Sequence, residues 1–123
     1  MNLLDGTAEF MRLAGQLDEP RFDEYCSDLR TLRRKLLAEE YHEYSVAEFD
    51  GDLVETVDGL LDIMVIAWGS LLAYVGEEKA KAAAAEVVRS NLDKVTGEIR
   101  RSPDGKIQKP EGWRAPDIAG VLA

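Results

Sequence analysis

The sequence predicts an all-α fold, a four-helix bundle with an irregular C-terminal tail. Three observations carry that expectation. Apolar residues recur three, four and seven apart through most of the chain, the period of one helix face. Helix-stopping signals separate these stretches at Gly15 with Asp18-Glu19-Pro20, at Asp50-Gly51-Asp52, at Gly76 and at Gly97. From Glu98 on, Pro103, Asp104-Gly105, Pro110, Gly112 and Pro116 are turn formers, and no apolar period survives. Residues 1–97 are therefore expected to form the helical part and residues 98–123 an irregular tail of the same domain.

The first helix is expected from about Asn2 to Leu17, where Leu3, Phe10, Leu13, Ala14 and Leu17 share a stripe with weak points at Gly6 and Gly15. The second opens near Arg21 and runs to about Phe49, its apolar stripe traced by Phe22, Tyr25, Leu29, Leu32, Leu36 and Leu37. The third, about Leu53 to Val75, is apolar almost all round and ends at Gly76, a C-cap position. The fourth, about Glu77 to Val95, is alanine-rich and opens on two glutamates that complement the helix dipole. Helices two and three are joined by so short a turn that they should pack antiparallel.

With 123 residues the chain can build one proper core. Its net charge of −9 argues against nucleic acid as a partner, because duplex binding relies on neutralising phosphates with Lys and Arg. Cys26 is the only cysteine, which rules out an intrachain disulfide and suits a reducing cytosol. The longest apolar run is interrupted by Asp62, and the N-terminus lacks a basic stretch followed by an apolar one. No membrane span or export signal is expected.

Two acid clusters stand out: Glu39-Glu40-x-x-Glu43 and, after eleven intervening residues, Glu55-x-x-Asp58 with Asp62 one turn later. Residues three and four apart share a helix face, so each cluster gathers charge onto one stripe. The apolar stripe of helix two runs on into Glu40 and Glu43, and the second cluster sits on the most apolar helix. Burial of all these acids is the expectation. Buried like charges persist when paired or when they bind a metal, and oxygen ligands in this number suit Mg2+ or Mn2+. Across the hairpin, Glu43 and Glu55 lie roughly 10 Å and 6 Å of helical rise from the bend. Both clusters can therefore share one site. The plainer reading is a solvated helix face paired with Arg33, Arg34 and Lys35; the second cluster on an apolar helix weighs against it.

The pattern Glu-Glu-x-x-Glu then Glu-x-x-Asp across a helical hairpin resembles the all-α nucleoside triphosphate pyrophosphohydrolases. This is the MazG-like group that includes phosphoribosyl-ATP pyrophosphohydrolase and the dimeric dUTPases. The likeness runs from the Leu-Arg-x-x-Leu-Leu approach to Glu39 through Ser90-Asn91-Leu92-Asp93-Lys94 to the tail string Gly105-Lys106-Ile107-Gln108-Lys109-Pro110-x-Gly112-Trp113. That tail is similar to those of the short single-domain phage and bacterial members. The resemblance implies Mg2+-dependent (or Mn2+-dependent) hydrolysis of a nucleoside triphosphate to monophosphate and pyrophosphate. It implies a metal site of Glu39, Glu40, Glu43, Glu55 and Asp58, with Glu39 or Glu40 activating the water; Asp62 falls outside the motif and, one turn beyond Asp58 on the same face, is expected to orient the site or act as an outer ligand. It also implies at least a dimer, so a homodimer or homotetramer is expected in the cytoplasm. For such a substrate, Asn91, Lys94, Lys106, Lys109, Trp113 and Gln16 are the candidate binding residues: lysines for phosphate, Asn91 for sugar or base, Trp113 for stacking on the base or closing the pocket, and Gln16 reaching from helix one.

Two other functions compete. A di-iron type carboxylate bundle expects paired Glu-x-x-His motifs, and His42, the only histidine, supplies one such pairing after Glu39. A non-catalytic acidic helical module binding basic partners also fits the composition. His42 and Cys26 read most simply as a surface residue beside the site and a small helix residue.

Overall fold

Asn2 starts the first helix by accepting the Asp5 N–H on its side chain at 2.8 Å. In the computed structural model, which describes residues 1–123, the chain is all-helical and has no strand. Five α-helices form, four of them long: α1 (Leu3–Leu13), α2 (Ser27–Phe49), α3 (Leu53–Val75), α4 (Glu77–Asp93) and α5 (Ile118–Leu122). The chain forms two compact units, Met1–Glu77 and Glu78–Ala123.

In the first unit, α1 is shorter than its apolar stripe. Gly15 takes a φ of 70°, and the N–H groups of Gly15 and Gln16 donate back to Arg12 and Met11, closing the helix by a Schellman motif. Leu17 therefore lies outside it. α2 also begins later than the stripe suggests. Asp23 accepts the Tyr25 N–H at 2.8 Å and donates its own N–H to Cys26 Sγ at 3.2 Å. These bonds hold Glu24–Cys26 as one 3-10 turn before α2.

The bend between α2 and α3 is as short as its residues allow. Gly51 (φ 70°) and Asp52 donate to Glu48 and Ala47, so Asp52 closes α2; its carboxylate then accepts the Glu55 N–H at 3.1 Å and caps α3. The two helices pair antiparallel. Going up α2, Arg33 meets Gly69, Glu40 meets Asp62 and Tyr44 meets Gly59. Glycines sit at two of these close approaches: a Cβ on Gly59 would stand 3.0 Å from the backbone Tyr44 Cα, and one on Gly69 would stand 2.5 Å from Nη2 at the flexible end of Arg33. α1 packs on α3, burying Thr7, Ala8 and Met11, while Trp68, Gly69, Leu72 and Ala73 of α3 are buried.

Full burial of α3 is not found. Leu53 and Val54 are each 75% exposed, and Val57, Leu60, Leu61, Met64 and Leu71 are also exposed. The cause is that only α1 and α2 pack on this helix within its unit, while its apolar residues encircle it. By length and composition α3 is the one helix long and apolar enough to cross a membrane.

In the second unit the tail is more ordered than its turn formers suggest. Ser102 and Gln108 donate to Lys106 and Arg100 across an antiparallel bridge of Arg101 with Ile107, with Gly105 at φ 87° in the turn. Arg89 of α4 donates to the carbonyls of Arg114 and Ala115 as well as to Glu86 and Asp93. Glu86 also accepts the Asp117 N–H at 3.0 Å. Just beyond it, Asp117 caps the short α5 by accepting the Gly120 N–H.

Candidate functional site

The antiparallel register brings Glu40, Glu43 and Asp62 together. Glu40 projects from α2 toward α3, where Oε2 is buried without a hydrogen-bond donor. What faces it are the carboxylates of Glu43 and Asp62. These can accept a proton from Glu40 but have none to give when ionised. Burial first, then the charges of Asp62 and Glu43, push the Glu40 carboxyl above its ordinary value. Three acids thus meet with no cation among them, an arrangement that costs free energy as it stands.

The second cluster lies on the same side of the bend. Glu55 and Glu43 line one open cleft of about 420 Å³ together with His42, Asp50 and Asp52. Both turn aspartates therefore contribute acidity to this end of the hairpin, beyond their capping work. The register explains the convergence: Glu55 and Asp62 lie seven residues apart on α3, two turns of one face.

Burial of the acids is only partial, which corrects the expectation drawn from the apolar sequence of α3. Glu39, Glu43, Glu55 and Asp58 are exposed, and Glu40 and Asp62 are half-buried. Leu61, three residues on and on the same face of α3 as Asp58, is exposed as well. No three acids are drawn closely enough to enclose a metal ion in the present rotamers. The orphaned Glu40 oxygen among acceptors, by contrast, has the chemistry a hard cation would satisfy.

Arg33 is a polar anchor missed in the sequence. Its Nε donates to Ser70 Oγ at 3.0 Å and its Nη2 to the Ile66 carbonyl at 3.1 Å. That carbonyl already accepts from Ser70 Oγ at 2.7 Å. Burial lowers the guanidinium pKa, with the Tyr74 hydroxyl opposing it. The signal was available: counting back from the bend places Arg33 opposite Gly69, where a long side chain meets a missing one.

Gln16 lies in the first unit, just past α1, on the wall of a cavity bounded by α1, α2 and α3. In the second unit, Asn91, Lys94, Lys109 and Trp113 form one cluster. The Trp113 indole N–H donates to the Ser90 carbonyl at 2.7 Å, and the Lys94 and Lys109 ammonium groups each stand 5.0 Å from its ring centroid. Asn91 Oδ1 accepts from Lys94 at 3.2 Å. The indole is thereby a platform for two cations and an anchor of the tail on α4. Lys106 stands apart, in the turn where its N–H donates to Ser102 Oγ and Asp104 Oδ1. Compared with known proteins, the chain matches no protein-family model and no curated protein.

Proposed function

We propose that this protein is a Mg2+-dependent nucleoside triphosphate pyrophosphohydrolase that releases monophosphate and pyrophosphate. The observation that carries the reading is Glu40 Oε2, buried without a donor between Glu43 and Asp62. Glu39, Glu40, Glu43, Glu55 and Asp58 would hold the metal, with Asp62 beside Glu40; Mn2+ suits the same oxygens. Glu43, Glu55 and Asp58 are exposed, so no packing contact locks their side chains away from a cation.

When bound, magnesium neutralises triphosphate charge and makes a water more acidic. The remaining work belongs to the chain. Glu39 or Glu40 accepts the proton of the attacking water, the bond between the α and β phosphates breaks, and pyrophosphate leaves. By themselves, Lys94, Lys106 and Lys109 of the second unit carry donors suited to phosphate oxygens, and Asn91 carries both a donor and an acceptor suited to a sugar or base.

The open face of α3 supports a homodimer or homotetramer in which a second copy covers Leu53, Val54, Val57 and Leu60. Another copy fits this face better than lipid, because Glu55, Asp58 and Asp62 occupy the first three turns of the same helix.

Pyrophosphate release from a panel of deoxynucleoside triphosphates, followed as Mg2+ is added, tests the reading. Activity should require the metal and fall at least about a hundredfold in Glu40→Gln and in Asp58→Asn. Unchanged activity in both variants would overturn the site. Iron content with visible absorption would favour the di-iron bundle instead.

A further inference from the structure

Arg33 is a half-buried guanidinium that α2 turns onto α3. It lies on the wall of a cavity of about 470 Å³ whose other lining residues include Phe10, Met11, Gln16, Asp18 and Val65. Every part of this cavity belongs to the first unit. A guanidinium has five N–H donors and no acceptor. One goes to Ser70 and one to Ile66, leaving three. No carboxylate forms an ion pair with Arg33. A half-buried cation with spare donors beside an apolar wall favours an occupant that is flat, largely apolar and edged with acceptors.

We propose that this cavity receives a nucleobase and that Arg33 selects keto bases over amino bases. A keto base presents a carbonyl oxygen at the purine 6 or pyrimidine 4 position, which accepts from Arg33. Adenine and cytosine present an amine there, a donor facing a donor, and leave the guanidinium unsatisfied. Beside its carbonyl a keto base also carries a ring N–H. Asp18, an acceptor when ionised, and the Gln16 amide oxygen are the cavity groups suited to it. The substrates singled out are guanine, thymine and uracil nucleotides. The inference rests on the nucleotide reading above but assigns a different part of the molecule.

Uncharged deoxynucleosides test the cavity without metal or phosphate, by NMR chemical-shift titration of the full chain in a chelating buffer. Deoxyguanosine and thymidine should bind at least about tenfold tighter than deoxyadenosine and deoxycytidine. Arg33→Gln should abolish that ranking. Because Arg33 also joins α2 to α3, a second variant is needed: Asp18→Asn, at an exposed position, should weaken the keto nucleosides while leaving the melting temperature unchanged. Equal affinities in the parent protein, no binding of any nucleoside, or an unchanged ranking in folded Arg33→Gln would overturn the inference and leave Arg33 as a helix clamp only. A keto ranking in a protein that hydrolyses no triphosphate would uphold the cavity and refute the hydrolase. Hydrolysis without a ranking would do the reverse.

Discussion

Replacing Gly59 with alanine should destabilise the protein, against the usual effect of that change in a helix. Alanine within a helix is favoured over glycine by about 1 kcal/mol. Here the new methyl would stand 3.0 Å from Tyr44 Cα and 3.1 Å from its Cβ, whereas carbon atoms rest at about 3.5–4.0 Å. The obstacle is backbone, which cannot swing aside as a side-chain tip would. α2 and α3 must give by a few tenths of an ångström, and such overpacking costs about 1–3 kcal/mol. The balance runs from near zero to about 2 kcal/mol of lost stability, and each kcal/mol lowers the melting temperature by about 4–8 °C in a unit of this size. Gly6→Ala is the control. There a Cβ meets only the Met1 side chain, Sδ at 3.7 Å and Cγ at 3.9 Å, both ordinary contacts, so the same substitution should raise the melting temperature. Thermal unfolding followed by circular dichroism decides the matter. A Gly59→Ala protein stabilised as much as Gly6→Ala would refute the close approach of the helices. Since Glu40 and Asp62 meet one turn from this contact, Gly59→Ala should also weaken Mg2+ binding measured by calorimetry.

Three further outcomes follow from the same interactions. The raised Glu40 pKa means that the folded, metal-free protein binds a proton more tightly than the unfolded chain, so stability should fall as pH rises from the ordinary value of 4.5 through the folded one. Glu40→Gln should remove that decline and raise the metal-free melting temperature at pH 7, with little change near pH 4; equal melting curves at pH 7 would contradict the buried acid contact. Glu86 behaves oppositely: hydrogen bonds from Arg89 and the Asp117 N–H hold its carboxyl at about 2, so its contribution is present above pH 4.5 and lost as pH falls toward about 2. Tail protection measured by hydrogen exchange should fall over that range in the parent protein and be lowered at pH 7 in Glu86→Gln. Trp113→Phe keeps a ring but loses the donor to Ser90, and should cost about 1 kcal/mol, read as faster exchange of the amides following Pro110.

Helix existence was legible in the sequence because the apolar period and the glycine stops are local. α3 spans the expected Leu53–Val75, and its neighbours keep their places in chain order. The ends were less legible. Whether α1 stops at Leu13 depends on two backbone bonds made by Gly15 and Gln16, and whether α2 waits until Ser27 depends on the Asp23 and Cys26 exchange. The α5 helix was hidden because five residues are too few to display a period.

For the candidate site, the sequence alone determined which residue types sit at helical spacing and that one tight turn puts both acid clusters at the same end of a hairpin. Tertiary structure decided the rest. The offset between α2 and α3, set by Gly59 against Tyr44, selects Glu40 as the acid left without a donor and gives it Asp62 as neighbour. It also turns Arg33 inward over Gly69, although its sequence neighbours Arg34 and Lys35 are exposed. Spacing along one helix is a property of its own backbone, whereas burial and pairing of charge depend on which surface of another helix lies opposite.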